Sequence, residues 1–511
     1  MVKWLAMAVS TSEPLMTRRR LLRAGVGAAV LGGGAYGLSQ LFGGQLPFLA
    51  SWRVTDGANG TVRHFHSRPD LRPPAVYAFT TDPRPLGGRY LLMGPAAIDG
   101  AQAGPMITDN TGEPVWFRQT DDHAWPTNFE VHTYRGEPVL VWWEGKVLTG
   151  YGFGEAVIVD RSYREVARVK GANGHHIDLH ELTLSDRGTA LFTCPPVSVP
   201  VDLSSLGGSP SASVRDSIFQ EVDIATGRLV QEWRALGHVS PAESYRPPMD
   251  NFDYMHLNSI DVTPDGNLLV SGRHTWALYK LHRGTGEVMW RLGGKRSQFE
   301  MGRGAQFAWQ HDVRLPNPHL LTVFDNGDDG RTHTHETRGL KLDVDEQTRR
   351  VTLSRSYVRP HAVDATAMGS VRHLSDGHVA VGWGSAPYVS EFDAGGDVLT
   401  DLRIGISTKQ KSYRSFRQAW SGHPTTSPAL AVARDGSSGQ ATAYASWNGS
   451  TELAHWRIEA GARHSDMRPV GIVPRRGFET AINLGTNEGY VAVTALDRHR
   501  RPLRASRVLA V

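Results

Sequence analysis

The residues best suited to chemistry in this sequence are its histidines. All 22 lie beyond residue 63, and three of them open short apolar runs in the same way. His180, His256 and His311 each have a polar residue one or two places on, namely Glu181, Asn258 and Asp312. Imidazole attacks electrophiles and exchanges protons near neutral pH, so several brought to one axis would make a reactive site. The other motifs are weaker. His176 and His180 have zinc-ligand spacing only on a helix; in a strand their rings stand about 13 Å apart. Asp325 to Gly330 resembles a calcium loop but lacks the later bidentate glutamate. Gly293 and Gly294 read as turn residues with positive φ, because no helix follows them to bind a phosphate. Cys194 is the single cysteine and reads as a small buried apolar residue. Arg273 is expected to pair with a carboxylate of a neighbouring sheet. Neither a metal nor a cofactor is expected.

The elements that must position the histidines are strands. From about residue 75 the chain runs in short β-branched or aromatic stretches such as Val139-Leu140-Val141-Trp142-Trp143 and Leu320-Leu321-Thr322-Val323-Phe324, separated by turn clusters. A larger phrase recurs: a His-containing or polar strand, an Asp-Gly type turn, an apolar strand, a third strand, then one that often ends in Trp. His256 to Trp290, with the turns Asp265-Gly266 and Thr285-Gly286, is the fullest copy. Repeats of this kind predict an all-β, six-bladed β-propeller over 75–511, with five or seven blades as alternatives. In such a ring, equivalent strands line one channel and bring the three histidines together. Residues 195–213 read as an insertion within one blade and 46–74 as a linker or first strand. Gly489 to Ala495 or Ser506 to Val511 could close the ring.

Charge narrows the partners. Lys and Arg number 55 against 51 Asp and Glu. Residues 1–23 hold Lys3, Arg18, Arg19, Arg20 and Arg23 against Glu13 alone, so the surplus of four lies there and the rest is balanced at 50 against 50. A balanced body argues against nucleic-acid binding, which needs a basic surplus. Thr17-Arg18-Arg19-Arg20-Leu21-Leu22-Arg23 stands before an apolar, glycine-rich stretch at 24–42. Residues 1–45 therefore read as a twin-arginine export signal or membrane anchor, engaging the Tat machinery and placing the body outside the cytoplasm.

Several phrases together carry a family likeness. Asp253-Tyr-Met-His256-Leu-Asn258-Ser259, Ser271-Gly-Arg273-His274-Thr, Gln310-His311-Asp312, Phe324-Asp325-Asn326-Gly327 and Val381-Gly-Trp383-Gly384 resemble the arylsulfotransferase family over about residues 75–460. The resemblance implies an exported propeller that transfers a sulfuryl group from a phenolic sulfate ester to a phenol through a histidine, without a nucleotide donor. It implies His256 and His311 as catalytic residues, and a covalent histidine in a later blade, where His373 and His378 stand without a matching motif and His378 is the candidate. Arg331 or Arg338, with Asn258, Asn326 and His180, would bind the sulfate. A non-catalytic binding propeller is the alternative, and a quinoprotein-type dehydrogenase a more distant one.

Overall fold

The computed structural model describes residues 62–80, 88–121, 124–437, 439–484 and 489–511, together with Trp52 and Arg53. The segment 1–45, expected to direct export, lies outside the described residues. Among those described there is no α-helix, and the few helical turns are short and of the 3-10 type. Every apolar run named above is a strand, because β-branched and aromatic side chains pack well on a pleated surface.

Six sheets follow one another along the chain, antiparallel except where Glu300–Met301 lies parallel on Arg350–Tyr357. Sheet I holds Arg89–Pro95, Met106–Thr108 and Pro114–Phe117; sheet II runs from Trp125–Tyr134 to Glu165–Val169, and sheet III from Leu182–Leu184 to Leu229–Arg234. Sheet IV runs from Leu257–Val262 to Val288–Gly293, sheet V from His311–Asn317 to Arg350–Tyr357, and sheet VI from Ser370–His373 to Val398–Ile404. Tight turns join the strands; Gly266, at φ 79° in Asp265-Gly266, occupies a backbone region that side chains resist. The insertion expected at 195–213 is the far end of the long hairpin between Thr189–Val201 and Ala212–Asp223.

Each first strand, or for sheet III the second, touches the first strand of the next sheet, and the circuit returns from Ser370–His373 to Ser412–Ala419. Ser412–Ala419 is the innermost strand of sheet I, with Phe416 opposite Leu92. Val76–Thr80 pairs on the outer side of Val398–Ile404 in sheet VI, with Val76 opposite Ile404. Early and late segments of the chain are thus woven into the circuit, which leaves no long free edge among the inner strands. The arrangement is propeller-like. The closing strand differs from the one expected: Tyr490–Leu496 and the last residues lie elsewhere. Residues 424–511 build two further sheets, one of Ala429–Arg434, Ala441–Ser446 and Glu479–Leu484, the other centred on His455–Gly461 and Tyr490–Leu496. They enclose their own apolar cluster around Trp456, Val491 and Val493. Ser412–Ala419 escapes hydrophobic pattern reading because it buries two arginines, Arg414 at the axis and Arg417 against Glu391 and Asn110.

Apolar clusters fill the gaps between consecutive sheets. Trp116, Phe129 and Trp142 pack between sheets I and II, Phe219, Tyr254 and Tyr279 between III and IV, and Phe324, Tyr357 and Trp383 between V and VI. Full burial of one such side chain contributes about 1.5–3 kcal/mol, so these clusters set the spacing of the sheets. The axis, by contrast, is polar. Arg414 Nη1 donates to Glu181 Oε1 at 2.7 Å and Asn128 Oδ1 at 2.9 Å, Nη2 donates to the Asn258 carbonyl at 3.0 Å, and Nε stands 3.2 Å from Asp312 Oδ1. Arg314 bridges Glu181 and Asp312 at 2.8 and 3.1 Å, and Arg372 bonds Asp312 from sheet VI. Groups on or beside the inner strands of all six sheets therefore meet in one buried network.

Removing one member of such a network strands the others without their counter-charges, which costs about 3–5 kcal/mol. Arg414→Met is expected to lose that much stability in urea unfolding followed by tryptophan fluorescence. Burial alone would raise the Asp312 carboxyl, but Arg372, Arg314 and Arg414 outweigh it and hold it down at about 2, below the ordinary 3.8. A depressed carboxyl stabilises the fold above its unfolded value and loses that contribution as pH falls from about 4 to 2. Asp312→Asn should lack this part of the acid dependence in the same unfolding measurement between about pH 5 and 2.

Candidate functional site

The residues opening the inner strands sit in a common position at one end of the axis. His180 precedes Leu182–Leu184, His256 precedes Leu257–Val262, His311 begins its own strand, and Tyr413 is second in Ser412–Ala419. His256 holds φ at 54° and the neighbouring Asn128 and Asp312 at 53° and 47°, an unfavourable backbone for non-glycine residues that the surrounding packing must enforce. The hairpin between the second and third strands of sheet IV adds Arg273 and His274, tied back by Arg273 N to the His256 carbonyl at 3.1 Å. The corresponding hairpin of sheet II adds Tyr151.

Two imidazoles form the centre. His180 and His256 stand with ring centroids 4.8 Å apart at 85°. Each is fixed through Nδ1 by its own carboxylate: His180 by Asp178, and His256 by Asp253 Oδ2 at 2.6 Å. Tyr151 donates to the same Asp253 oxygen at 2.7 Å. With Nδ1–H donated to the carboxylates, Nε2 carries the lone pair, and neither Nε2 has a partner among the described residues. Tyr413 completes the floor, 5.7 Å from His180 and 6.4 Å from His311 between centroids. Its hydroxyl is buried with no partner, and burial raises it well above the ordinary tyrosine value, so it remains a donor.

Burial sets the charge of the rings. It lowers His256, although Asp253 opposes the shift, so this imidazole is neutral at about pH 7. His274 and His311 are pushed well below the ordinary histidine value, again chiefly by burial. Burial alone would raise Asp253, but His256 and His274 outweigh it and keep it ionised. Arg273 is pushed down to about 10 by burial, despite Asp329 and Asp253 nearby. It still carries its charge at neutral pH.

The expected site residues divide. His180 and His256 meet directly, and His311 lies across Tyr413 from His180. Yet His311 spends both nitrogens on the scaffold: Nδ1 donates to Asn326 Oδ1 at 2.7 Å, and Nε2 accepts from Met368 N at 3.2 Å. Asn326 in turn donates to the Ala365 and Met368 carbonyls, so it positions His311 and does not face a ligand. Asn258 bonds the Gln310 carbonyl at 2.7 Å and belongs to the axial network. His378 does not join the cluster: it contacts Glu391 at 3.1 Å and Asp376 at 3.6 Å. The register, Ser370 with Gly382 and His373 with Val379, puts it at the other end of sheet VI from Ser370. Arg338 is taken by Asp325 at 2.9 Å and the Gln306 carbonyl at 2.7 Å, and Arg331 is exposed. Neither meets the histidines. Arg273 has no carboxylate within ion-pair distance among the described residues. Its Nη1 donates to His274 Nε2 at 3.1 Å and its Nη2 to the Thr366 carbonyl at 2.8 Å. Its charge acts on His256 and His311 and helps to keep both rings neutral.

Asp253, His256 and His274 bring possible metal-ligand atoms within 4.8 Å of one another. Asp253 Oδ2, His256 Nδ1 and both nitrogens of His274 are already hydrogen-bonded, which leaves Asp253 Oδ1 and His256 Nε2 as the atoms with no partner among the described residues. Sequence reasoning missed Tyr151, Asp178, Asp253 and Tyr413. Tyr413-Arg414 carries a legible signal, for it repeats the ring-then-ionic pairing of His180-Glu181 and His311-Asp312.

The family model for arylsulfotransferase (ASST) matches residues 130–405, and the chain belongs to that family. The match runs from within the first strand of sheet II to the end of sheet VI and includes every one of these histidines. No curated protein matches the chain. Among solved structures, it is similar to a protein of unknown function from Bacteroides caccae, at 14% identity over 65% of this chain and 99% of that one, with a TM-score of 0.39. It is also similar to a catalytically inactive variant of virginiamycin B lyase from Staphylococcus aureus with quinupristin, at 9% identity over 73% and 96%, TM-score 0.34. Apo AztD from Citrobacter koseri matches at 11% over 64% and 98%, TM-score 0.29. The fold is defined by the chain's own sheets.

Asp253 favours the charged form of His256, so removing that charge should lower the imidazole further. Asp253→Asn is expected to shift the His256 titration to lower pH and to mix its tautomers, both read from nitrogen chemical shifts of labelled imidazoles.

Proposed function

We propose that the protein is an exported, six-bladed β-propeller sulfotransferase that moves a sulfuryl group from an aryl sulfate to a phenol, with His256 carrying it between the two. The observation that carries this reading is the pair His180 and His256, each held at Nδ1 by a carboxylate and each with a free Nε2. Membership of the arylsulfotransferase family supports the substrate class. The closed circuit of six sheets supports the blade count, and the paired arginines before an apolar stretch support export through the Tat machinery, with residues 24–42 as an anchor if they are retained.

In the first half-reaction, the Nε2 lone pair of neutral His256 attacks sulfur and the ester S–O bond breaks toward the phenol oxygen. The imidazolium form of His180, with Asp178 balancing its charge, gives its Nε2 proton to the departing phenolate. Asp253 accepts the Nδ1–H of His256 and stabilises the positive ring that bears the sulfuryl group. The buried Tyr413 hydroxyl is a donor for a sulfuryl oxygen, and the nearby Arg273 charge favours an anion at the site. In the second half, neutral His180 takes the proton of the acceptor phenol, the phenolate attacks sulfur, and the N–S bond breaks to restore His256. Splitting the transfer means that the two phenols need not be bound together. The side chain of His256 is 14% exposed while that of His180 is 5% exposed, so the substrate reaches His256 first.

The test incubates purified protein with a chromogenic aryl sulfate, with and without a phenol acceptor. Phenol release, together with a mass increase of one sulfuryl group that His256→Ala abolishes, is the expected result. Because burial keeps His256 neutral, the acid limb of the rate should fall below pH 6.5. Several donors giving neither release nor adduct would overturn the proposal, and donor binding without release would make the protein a binding propeller. An adduct that survives in His256→Ala but vanishes in His180→Ala would exchange the two roles.

A further inference from the structure

We infer that the corner formed by Arg246, Arg273 and Trp309 binds a second anionic group on the aryl substrate, so that the preferred substrates are phenols bearing a carboxylate. This rests on the sulfuryl-transfer reading above and specifies its substrate class.

The corner is rich in donors that have nothing to bond. The guanidinium carbons of Arg246 and Arg273 each stand 5.3 Å from the centre of the Trp309 ring, on which both can rest. Trp309 Nε1, Arg273 Nε, Arg246 Nε and the neighbouring Trp276 Nε1 are all buried without a hydrogen-bond partner. Trp309 is 2% exposed and Arg273 7%. A buried N–H left unpaired is costly, and such a concentration of donors fits an absent acceptor. Arg246 pairs with Asp329 at 3.0 Å, whereas Arg273 has only the neutral acceptors of His274 and Thr366. A carboxylate is the planar acceptor that two guanidiniums and an indole N–H match.

Position distinguishes this corner from the sulfuryl site. His274 stacks on His256 with centroids 4.7 Å apart, and Trp309 lies 5.7 Å beyond His274. The corner is therefore two ring-to-ring steps from the reacting imidazole, a reach suited to a substituent across an aromatic ring. The path is aromatic as well. Trp276 lies 5.3 Å from Trp309 and stacks on Tyr245 at 3.7 Å and 10°, and Tyr245 is 39% exposed. These rings form a packed aromatic series from the surface toward His256. Arg246 and Tyr245 are adjacent in sequence, and Tyr245 N donates to the His274 carbonyl at 2.8 Å, which ties this segment to the cluster.

The test compares 4-hydroxybenzoate with phenol as acceptors and measures their binding by calorimetry in a His256→Ala background, where no turnover occurs. The carboxylated acceptor should bind about tenfold more tightly or better. Arg246→Gln and Trp309→Phe, the second keeping the ring and removing only the N–H, should each lower kcat/KM for 4-hydroxybenzoate about tenfold more than for phenol, with Arg246→Lys recovering part of the loss. Equal affinity for the two acceptors, or equal losses in the variants, would overturn the inference. If neither acceptor is sulfated but calorimetry keeps the preference and its dependence on Arg246, the corner stands and sulfuryl transfer falls.

Discussion

The Arg414 guanidinium is the point on which the rest of the molecule depends. It reaches Glu181 before sheet III, Asn128 of sheet II, Asn258 of sheet IV and Asp312 of sheet V, while rooted in sheet I; sheet VI joins through Arg372 on Asp312. Apolar clusters between sheets are tolerant in one respect, since a hydrophobic gap can relax by repacking. A buried ionic knot is not, because each charge left unpaired is expensive. The knot therefore fixes the angular position of each inner strand, and those strands carry the residues of the site on the positions beside it. Glu181 follows His180, Asp312 follows His311, and Arg414 follows Tyr413. Structure and chemistry alternate residue by residue around the axis.

That alternation explains how a reactive cluster is kept both ordered and electrically calm. The carboxylates of the knot face arginines, and the carboxylates of the site, Asp178 and Asp253, face imidazoles. His311 belongs to both. It is a member of the ring of side chains around the axis, but with Asn326 and Met368 on its two nitrogens it acts as a wall, holding 365–368 against the axis. His180 and His256 keep Nε2 free because their Nδ1 partners lie on one side only.

Much of this was legible beforehand, for definable reasons. Strand periodicity and Asp-Gly turns signalled the repeated sheets because those signals are local. The convergence of His180 and His256 followed from their equal place in the repeated phrase. The closing strand was hidden, since Ser412–Ala419 turns Arg414 to a polar axis and buries Arg417 against Glu391 and Asn110, and so does not look like a core strand. The guanidinium was misread for the same kind of reason: Arg273 was expected to meet a carboxylate, and only three-dimensional placement reveals that Asp253 is committed to His256 and Tyr151. Arg331 and Arg338 lie close in sequence to a site motif, yet a loop that turns outward and a pairing with Asp325 remove them from it. His378 illustrates the limit of proximity along a strand, because a hairpin sends its two ends to opposite faces of the ring.

The pairing of Ser412–Ala419 with Arg89–Pro95 also imposes an order of events on the growing chain. Sheets II to V consist of neighbouring segments and can form as they are synthesised, but the circuit cannot shut until Ser412 has met Pro95. Tyr413 and Arg414 arrive with that last strand. Until then the open ring exposes apolar surface and the histidine pair lacks its floor, although most of the chain already exists. Contacts of such long range form slowly. Completion of the ring and assembly of the site are therefore the same step, and a chain cut short before residue 412 would have neither.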